Sequence, residues 1–380
     1  MRELISLVIY AIGAYFIFWN GYDLFLAISA LFAKKSPKLR NEEAFFYIVI
    51  PAYKEGSVLI NTIEAALAVD YPEDKREVVL LAQDLEPEIL STLSSYPITI
   101  VATGALGSKM KAIKNWMSSL VFQDEYIFIV DADNLVAKDA LQQCSALLKE
   151  YEVVQLELKK TKPTTSMSVL DRWNTAVGIT MAIHSRLALG LSTFILGSGF
   201  AAKANVYKKF LHDFPNTNVE DKALDLFLIS NNIKMGYHRF PGVVDSTIGR
   251  SNELSAQRSR WVGGRIEART LFRKAHLQDF WNLELFDKHV HYSSPQRSLR
   301  LVLSLLWAIL PSMPIRTDIQ LHFLPILLGS TAFFLATPKE LLRWELIRAI
   351  LALPKSILII AKSRLLARNA AKEAFTVTPK

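Results

Sequence analysis

Tyr126-Ile-Phe-Ile-Val-Asp-Ala-Asp133 sets the reading of this chain. A run of Ile, Phe and Val without a polar break is the pattern of a strand covered on both faces. It stops abruptly at two carboxylates two positions apart. If the strand runs on through them, alternation points Asp131 and Asp133 to one side, where paired carboxylates suit a hard divalent cation. A strand end capped by Asp in a turn is the plainer alternative.

The segments before it share this form. Phe45-Phe-Tyr-Ile-Val-Ile50 reads as a buried strand closed by Pro51-Ala-Tyr-Lys-Glu-Gly56. The spacing of Ile60, Ile63, Ala66 and Leu67 predicts a helix over Ser57 to Val69. Glu77-Val-Val-Leu-Leu81 is the next strand, ending near Asp84, and a short helix leads to Ile98-Thr-Ile-Val101. A helix from Lys109 to Val121 then precedes the Asp-Ala-Asp stretch. Strand alternating with helix predicts an α/β fold, a mostly parallel sheet with helices on both faces. In such sheets ligands sit beyond the carboxyl ends of the strands. Tyr53, Asp84, Asp131 and Asp133 all fall there.

Composition narrows the class. At 51% hydrophobic residues and a mean hydropathy of +0.21, the chain is too apolar for an ordinary soluble enzyme, and at 21% charged it is too polar for a pure membrane bundle. The apolar excess lies at the two ends. Leu4 to Ala33 is long enough to cross a bilayer, with tilt or a break near Asn20-Gly21. It is too long for a cleaved signal peptide. Lys34, Lys35, Lys38 and Arg40 follow, which predicts an integral membrane protein with its central domain in the cytoplasm. The single cysteine, Cys144, excludes an internal disulfide framework and fits reducing surroundings. A formal charge of +8 suits anionic partners such as a nucleotide diphosphate or lipid headgroups. No nucleic-acid-binding motif is present, so no nucleic-acid partner is expected.

Later motifs extend the pattern. They are Gly197-Ser198-Gly199, the acidic pair Glu220-Asp221 opening an apolar helix, and Gln257-Arg-Ser-Arg260-Trp261, whose i, i+3, i+4 spacing puts Gln257, Arg260 and Trp261 on one helix face. Together with Ile50-Pro-Ala-Tyr-Lys-Glu55, Asp84 and Asp131-Ala-Asp133, these resemble the membrane-associated family 2 glycosyltransferases of GT-A fold, in the order and spacing of cellulose, chitin and hyaluronan synthases. The resemblance covers about Phe45 to Arg265.

That resemblance implies a donor pocket in which Tyr53 and Asp84 flank a uracil base, shaped by Pro51 and Glu55. It implies that Asp131 and Asp133 hold nucleotide and a divalent metal, Mn²⁺ or Mg²⁺. A basic residue, Lys109 or Lys111, would touch the donor; spacing to Asn115 does not choose between them. Asp221, with Glu220 beside it, would be the base for the acceptor hydroxyl. Gln257 and Arg260 would serve the diphosphate, while Gly197, Ser198, Gly199 and Trp261 would serve the acceptor. Other readings of single motifs remain open: an acidic pair can simply offset a helix dipole, and Trp can anchor a helix at a membrane. His184, His238 and His276 lack metal-ligand spacing and read as structural.

The expected layout is a membrane helix and basic flank over 1–40, the catalytic domain over 41–265, interfacial helices over 266–298, a short apolar hairpin or spans over 299–338, and an interfacial helix with a basic tail over 339–380. The expected function is inverting transfer of a sugar from a UDP-sugar to a glycan or lipid-linked acceptor at the bilayer. Single transfer to a lipid of the ceramide type is the alternative. A non-catalytic membrane scaffold would fit loss of the carboxylates, and all are present.

Overall fold

The computed structural model describes residues 2–39, 44–104, 106–214, 217, 219–245, 251–309 and 319–351; within its helices, the side chains of 2, 251–260, 319–321, 348–349 and 351 are outside the description. The chain forms two compact units that are interleaved in sequence: 35–162 with 194–280 make one, and 1–34 with 163–193 and 281–361 make the other.

The first unit is built on eight strands: β1 (Phe46–Tyr53), β2 (Arg76–Gln83), β3 (Thr99–Ala102), β4 (Tyr126–Ile129), β5 (Leu135–Val136), β6 (Val153–Lys160), β7 (Phe200–Lys203) and β8 (Met235–Asp245). They form one sheet in the order β3-β2-β1-β4-β7-β6-β8-β5. The apolar runs are continuous because both faces are covered. Ile48, Ile50, Leu80 and Phe128 face the helix Val58–Leu67 through Leu59 and Ile63. Val49, Leu81, Ile127 and Ile129 face the helices Lys109–Ser118 and Glu220–Ser230 through Ile113, Leu224 and Phe227. Phe128 is fully buried, and truncating such a ring to Ala costs about 3–5 kcal/mol.

The alternating segments behave as expected: β2 pairs parallel with β3 and β1, and β1 with β4. The rest corrects the mostly parallel expectation, because the sheet is mixed. β7 runs antiparallel to both β4 and β6, and β5 antiparallel to β8. The cause is the connection from β6 to β7. Residues 163–193 belong to the other unit, so they supply no crossover to the opposite edge, and β7 starts at the end of the sheet where β6 stopped.

A second correction concerns the organising stretch. β4 ends at Ile129, and Asp131 to Asp133 lie in a turn closed by the Asn134 amide donating to the Asp131 carbonyl at 3.0 Å. The alternation argument for the two carboxylates therefore fails, and the plainer reading of the local backbone holds.

The other unit is helical. Its first helix, Arg2–Ala30, is continuous through Asn20-Gly21, where a break had been one expectation. Asn20 and Asp23 are buried and satisfied sideways by other helices instead. Asp23 pairs with Arg297 at 3.0 Å and with Arg300, while Asn20 donates to Ser304 Oγ at 2.9 Å and to the Pro325 carbonyl at 2.8 Å. Buried polar groups left without partners would cost far more than this network does. Around it Leu26, Trp173, Val177, Met181 and Phe333 form a core. Two helices, Arg297–Ile309 and Ile319–Ala336, occupy the expected hairpin region. Pro311 and Pro314 lie outside the described residues, as do Arg40, Lys355, Lys362, Arg364 and the tail from Arg368. Among the described residues one helix, Glu3–Ala30, is long and apolar enough to cross a membrane.

Candidate active site

The ends of β1, β2 and β4 meet at one edge of the first unit. Tyr53 and Gln83 are register partners at the ends of β1 and β2, so Tyr53 and Asp84 stand on adjacent strand ends. The next residues turn sharply. Lys54 and Asp84 both have left-handed backbone, with φ of 53° and 50°, a conformation uncommon for non-glycine residues and less costly for Asp than for Lys. Lys54 donates its amide to the Gln83 carbonyl at 3.1 Å, and its ammonium lies 3.3 Å from Asp84 and 5.4 Å from the centre of the Tyr53 ring. Lys54 therefore joins this cluster, although the sequence reading passed over it. Pro51 lies within β1 and Glu55 just beyond it, both half-buried.

The Asp131 turn is pinned from three sides. Ser198 Oγ accepts from the Asp131 amide at 3.0 Å and from Asn134 Nδ2 at 2.8 Å, and Thr62 Oγ1 donates to the Ala132 carbonyl at 2.9 Å. Ser198 is itself buried, with its hydroxyl committed to this turn. The loop behind it is held by Gln155, whose Nε2 donates to the Ser198 carbonyl at 2.9 Å while its Oε1 accepts from the Leu196 amide at 2.9 Å. Gln155 and Thr62 were not singled out from sequence, yet a lone Gln in the buried run Val153-Val-Gln-Leu156 was a visible signal.

Gly199 needs to be glycine for two reasons: its φ is +69°, and a Cβ there would lie 1.9 Å from Val243 Cγ2. Gly197, at φ +85°, turns its carbonyl toward Lys109.

Lys109 links the two acidic groups. Its ammonium donates to Asp131 Oδ1 at 2.6 Å and to the Gly197 carbonyl at 2.5 Å. Burial opposes its charge, but the carboxylates of Asp131, Glu220 and Asp221 outweigh that and hold its pKa above the ordinary lysine value. Lys111 is exposed, so only Lys109 reaches the site. Ser108 starts this helix by accepting from the Lys111 amide, and two positions at about 100° each put the two lysines on different faces.

Glu220 and Asp221 occupy the first turn of the helix Glu220–Ser230. Burial raises the Glu220 pKa; Lys109 opposes the rise and Asp221 adds to it. Both acids line a tight crevice with Lys109, Gly197 and Tyr207, closed down so far that a water molecule does not fit. The Lys222 ammonium closes on Asp221 Oδ2, and one turn further on Asp225, buried, accepts from the Ile195 amide at 2.9 Å.

Gln257, Arg260 and Trp261 lie on the helix Ser251–Gln278. Trp261 is 46% exposed; the side chains of Gln257 and Arg260 are outside the described residues. A Cβ on Gly264 would come within 3.3 Å of Val219 Cγ1, so this helix passes beside the residue that precedes Glu220.

Carboxylate oxygens are the right donors for Mg²⁺ or Mn²⁺. Asp131 and Asp133 both act electrostatically on Asp245 at the end of β8, whose pKa burial raises and whose partner is Lys160 at 2.7 Å. No group of three or more His, Cys, Asp or Glu among the described residues forms a ready metal cage. The donor set therefore fits a metal that draws its remaining ligands from elsewhere, as Mg²⁺ does when it binds through one or two carboxylates plus substrate phosphates.

Among solved structures, the chain is similar to the mannosyltransferase PcManGT from Pyrobaculum calidifontis in complex with GDP-Man and Mn²⁺, at 17% identity and a TM-score of 0.56, with 96% of this chain and 99% of that one covered. At that identity the likeness is one of fold, a GT-A-like α/β arrangement. A second likeness is to S. aureus TarS 1–349 in complex with UDP-GlcNAc, at 14% identity and a TM-score of 0.44, covering 86% of this chain and 92% of that one. No curated protein sequence matches the chain. Its residues 43–264 match the family described as Glycosyltransferase like family 2, and that match covers more than half of the 380 residues: the chain belongs to this family.

Proposed function

We propose that this chain transfers a sugar, with inversion, from a nucleoside diphosphate to a hydroxyl of a glycan or lipid-linked acceptor at a membrane surface. The observation that carries the reading is the charged cluster in which Lys109, bonded to Asp131, faces Glu220 and Asp221. Its ammonium suits a diphosphate and its carboxylates suit an acceptor hydroxyl.

In this reading Tyr53 and Asp84 receive the base, with Pro51 and Glu55 shaping the pocket, and UDP is the first donor to test. Asp131 and Asp133 would hold a divalent metal, which would neutralise charge on the departing diphosphate. Lys109, Gln257 and Arg260 bind its phosphate oxygens. Asp221 accepts the proton of the acceptor hydroxyl as the new bond from that oxygen to the anomeric carbon forms. The bond from the anomeric carbon to the phosphate oxygen breaks on the opposite side, and the diphosphate leaves with the electron pair. Trp261 offers a flat apolar face to the acceptor sugar. Ser198, Gln155 and Thr62 keep the Asp131 turn in place.

Membrane attachment fits the first helix, which exposes Leu4, Leu7 and Phe18 by 64 to 66% and spans about 43 Å at 1.5 Å per residue. The cytoplasmic side follows from Lys34, Lys35 and Lys38. The test is to supply UDP- and GDP-sugars to the full chain in native membranes and identify the product by mass spectrometry. Failure to release nucleotide from any sugar donor refutes the transferase reading.

A further inference from the structure

Lys109 makes both of its polar contacts inside the protein, to Asp131 Oδ1 and to the Gly197 carbonyl, and its side chain is 12% exposed. Asp131 is 43% exposed and therefore reachable by an ion, but an ammonium on its own tether already occupies one of its oxygens. No ready cage of three acidic, His or Cys ligands compensates among the described residues. A divalent ion arriving alone meets a like charge a few ångströms away in a poorly screened site, and repulsion there is strong. A nucleoside diphosphate changes both terms. Its oxygens complete the coordination of the metal, and they accept the hydrogen bonds that Lys109 gives up when it leaves Asp131.

Resting on the nucleotide-sugar reading above, we propose that Lys109 is a tethered counter-cation that denies Asp131 to a free divalent ion and yields it to a metal accompanied by a nucleoside diphosphate. Metal and donor are then taken up as one unit. The same ammonium that guards Asp131 then donates to the incoming phosphates.

The test is Mn²⁺ binding followed by electron paramagnetic resonance, with the full chain in lipid nanodiscs, first with Mn²⁺ alone and then with UDP or GDP. Wild-type protein binds Mn²⁺ alone weakly and tightens by roughly 10- to 100-fold when the nucleotide is added. Lys109→Met binds Mn²⁺ alone about 10-fold more tightly than wild type, whereas Lys109→Arg keeps the weak binding. Equal affinity of Lys109→Met and wild type for Mn²⁺ alone overturns the proposal. Removing the ammonium leaves three carboxylates close together, so the folding of Lys109→Met is checked against wild type by circular dichroism and thermal unfolding, and Lys109→Gln, uncharged but able to hydrogen-bond, repeats the comparison. Lys109→Gln also binds Mn²⁺ alone about 10-fold more tightly than wild type; binding at the wild-type level again overturns the proposal. If neither UDP nor GDP binds, with or without Mn²⁺, the donor reading itself fails; if a nucleotide binds and Lys109→Met matches wild type, only the role of Lys109 fails.

Discussion

Lys222 holds both oxygens of Asp221: its backbone amide donates to Oδ1 at 2.9 Å and its ammonium to Oδ2. The base proposed for the acceptor hydroxyl is therefore oriented by the residue that follows it, before any substrate arrives. Asp221→Asn keeps the shape and removes the basicity. Transfer then falls by roughly two to four powers of ten, while nucleotide affinity measured by calorimetry stays within a few-fold of wild type. Equal loss of both makes Asp221 a binding residue.

The clamp itself is open to test. Lys222→Met leaves the Oδ1 contact and frees Oδ2, so kcat falls by about 10- to 100-fold with little change in the donor KM. Lys222→Arg restores most of the rate because the charge returns. If Lys222 served only folding, donor KM and thermal stability would move with kcat, and Arg would bring no selective rescue of turnover.

Glu220 makes a prediction about stability and pH. Burial raises its pKa above the ordinary 4.5, so the folded chain binds this proton more readily than the unfolded one. Its favourable contribution is present below that ordinary value and is lost as pH rises through the folded value. At neutral pH the ionised Glu220 is a net cost. Glu220→Gln should raise the unfolding temperature at neutral pH, with the gain shrinking toward about pH 4, where the carboxyl is protonated in both states. Scanning fluorimetry at the two pH values checks the sign; a loss of stability at neutral pH contradicts it.

Gly199 ties fold to site. Gly199→Ala places a methyl group on Val243 Cγ2 and holds a non-glycine residue at φ +69°. The two effects together cost about 2–5 kcal/mol in chemical unfolding. Val243→Ala in the same chain removes the 1.9 Å overlap with Cγ2 and leaves the backbone term and a 3.2 Å approach to Cβ, so the double variant recovers part of the loss. Simple additivity of the two single variants argues against the contact.

The course of the first half of the sheet was legible because Phe46–Tyr53, Arg76–Gln83 and Tyr126–Ile129 are buried on both faces and end at residues with chemistry. The direction of β7 was not, because alternation in sequence cannot show that residues 163–193 leave for another unit. The residues of the Asp-Ala-Asp turn were legible, but its shape was not. That shape depends on Ser198 and Thr62, distant in sequence, which bond its backbone. The choice between Lys109 and Lys111 needed the helix start at Ser108, which spacing to Asn115 does not contain. Lys54 escaped notice because a lysine after a strand usually means solvent; its left-handed backbone and its pairing with Asp84 appear only in three dimensions.

Trp261 separates an acceptor platform from a membrane anchor. It is 46% exposed on the helix Ser251–Gln278, which passes beside Val219 and so close to the Glu220-Asp221 turn. An indole positioned there offers a sugar ring about 1–2 kcal/mol of contact and fixes the hydroxyl that Asp221 must reach. Trp261→Ala should therefore lower transfer to the acceptor by roughly 10-fold or more while hydrolysis of the donor by water changes little, since water needs no platform. A membrane anchor predicts a different pattern: both activities fall together in a bilayer, and detergent hides the defect. Measuring transfer and nucleotide release side by side in bilayer and in detergent decides between them. A parallel loss that vanishes in detergent removes Trp261 from the acceptor site.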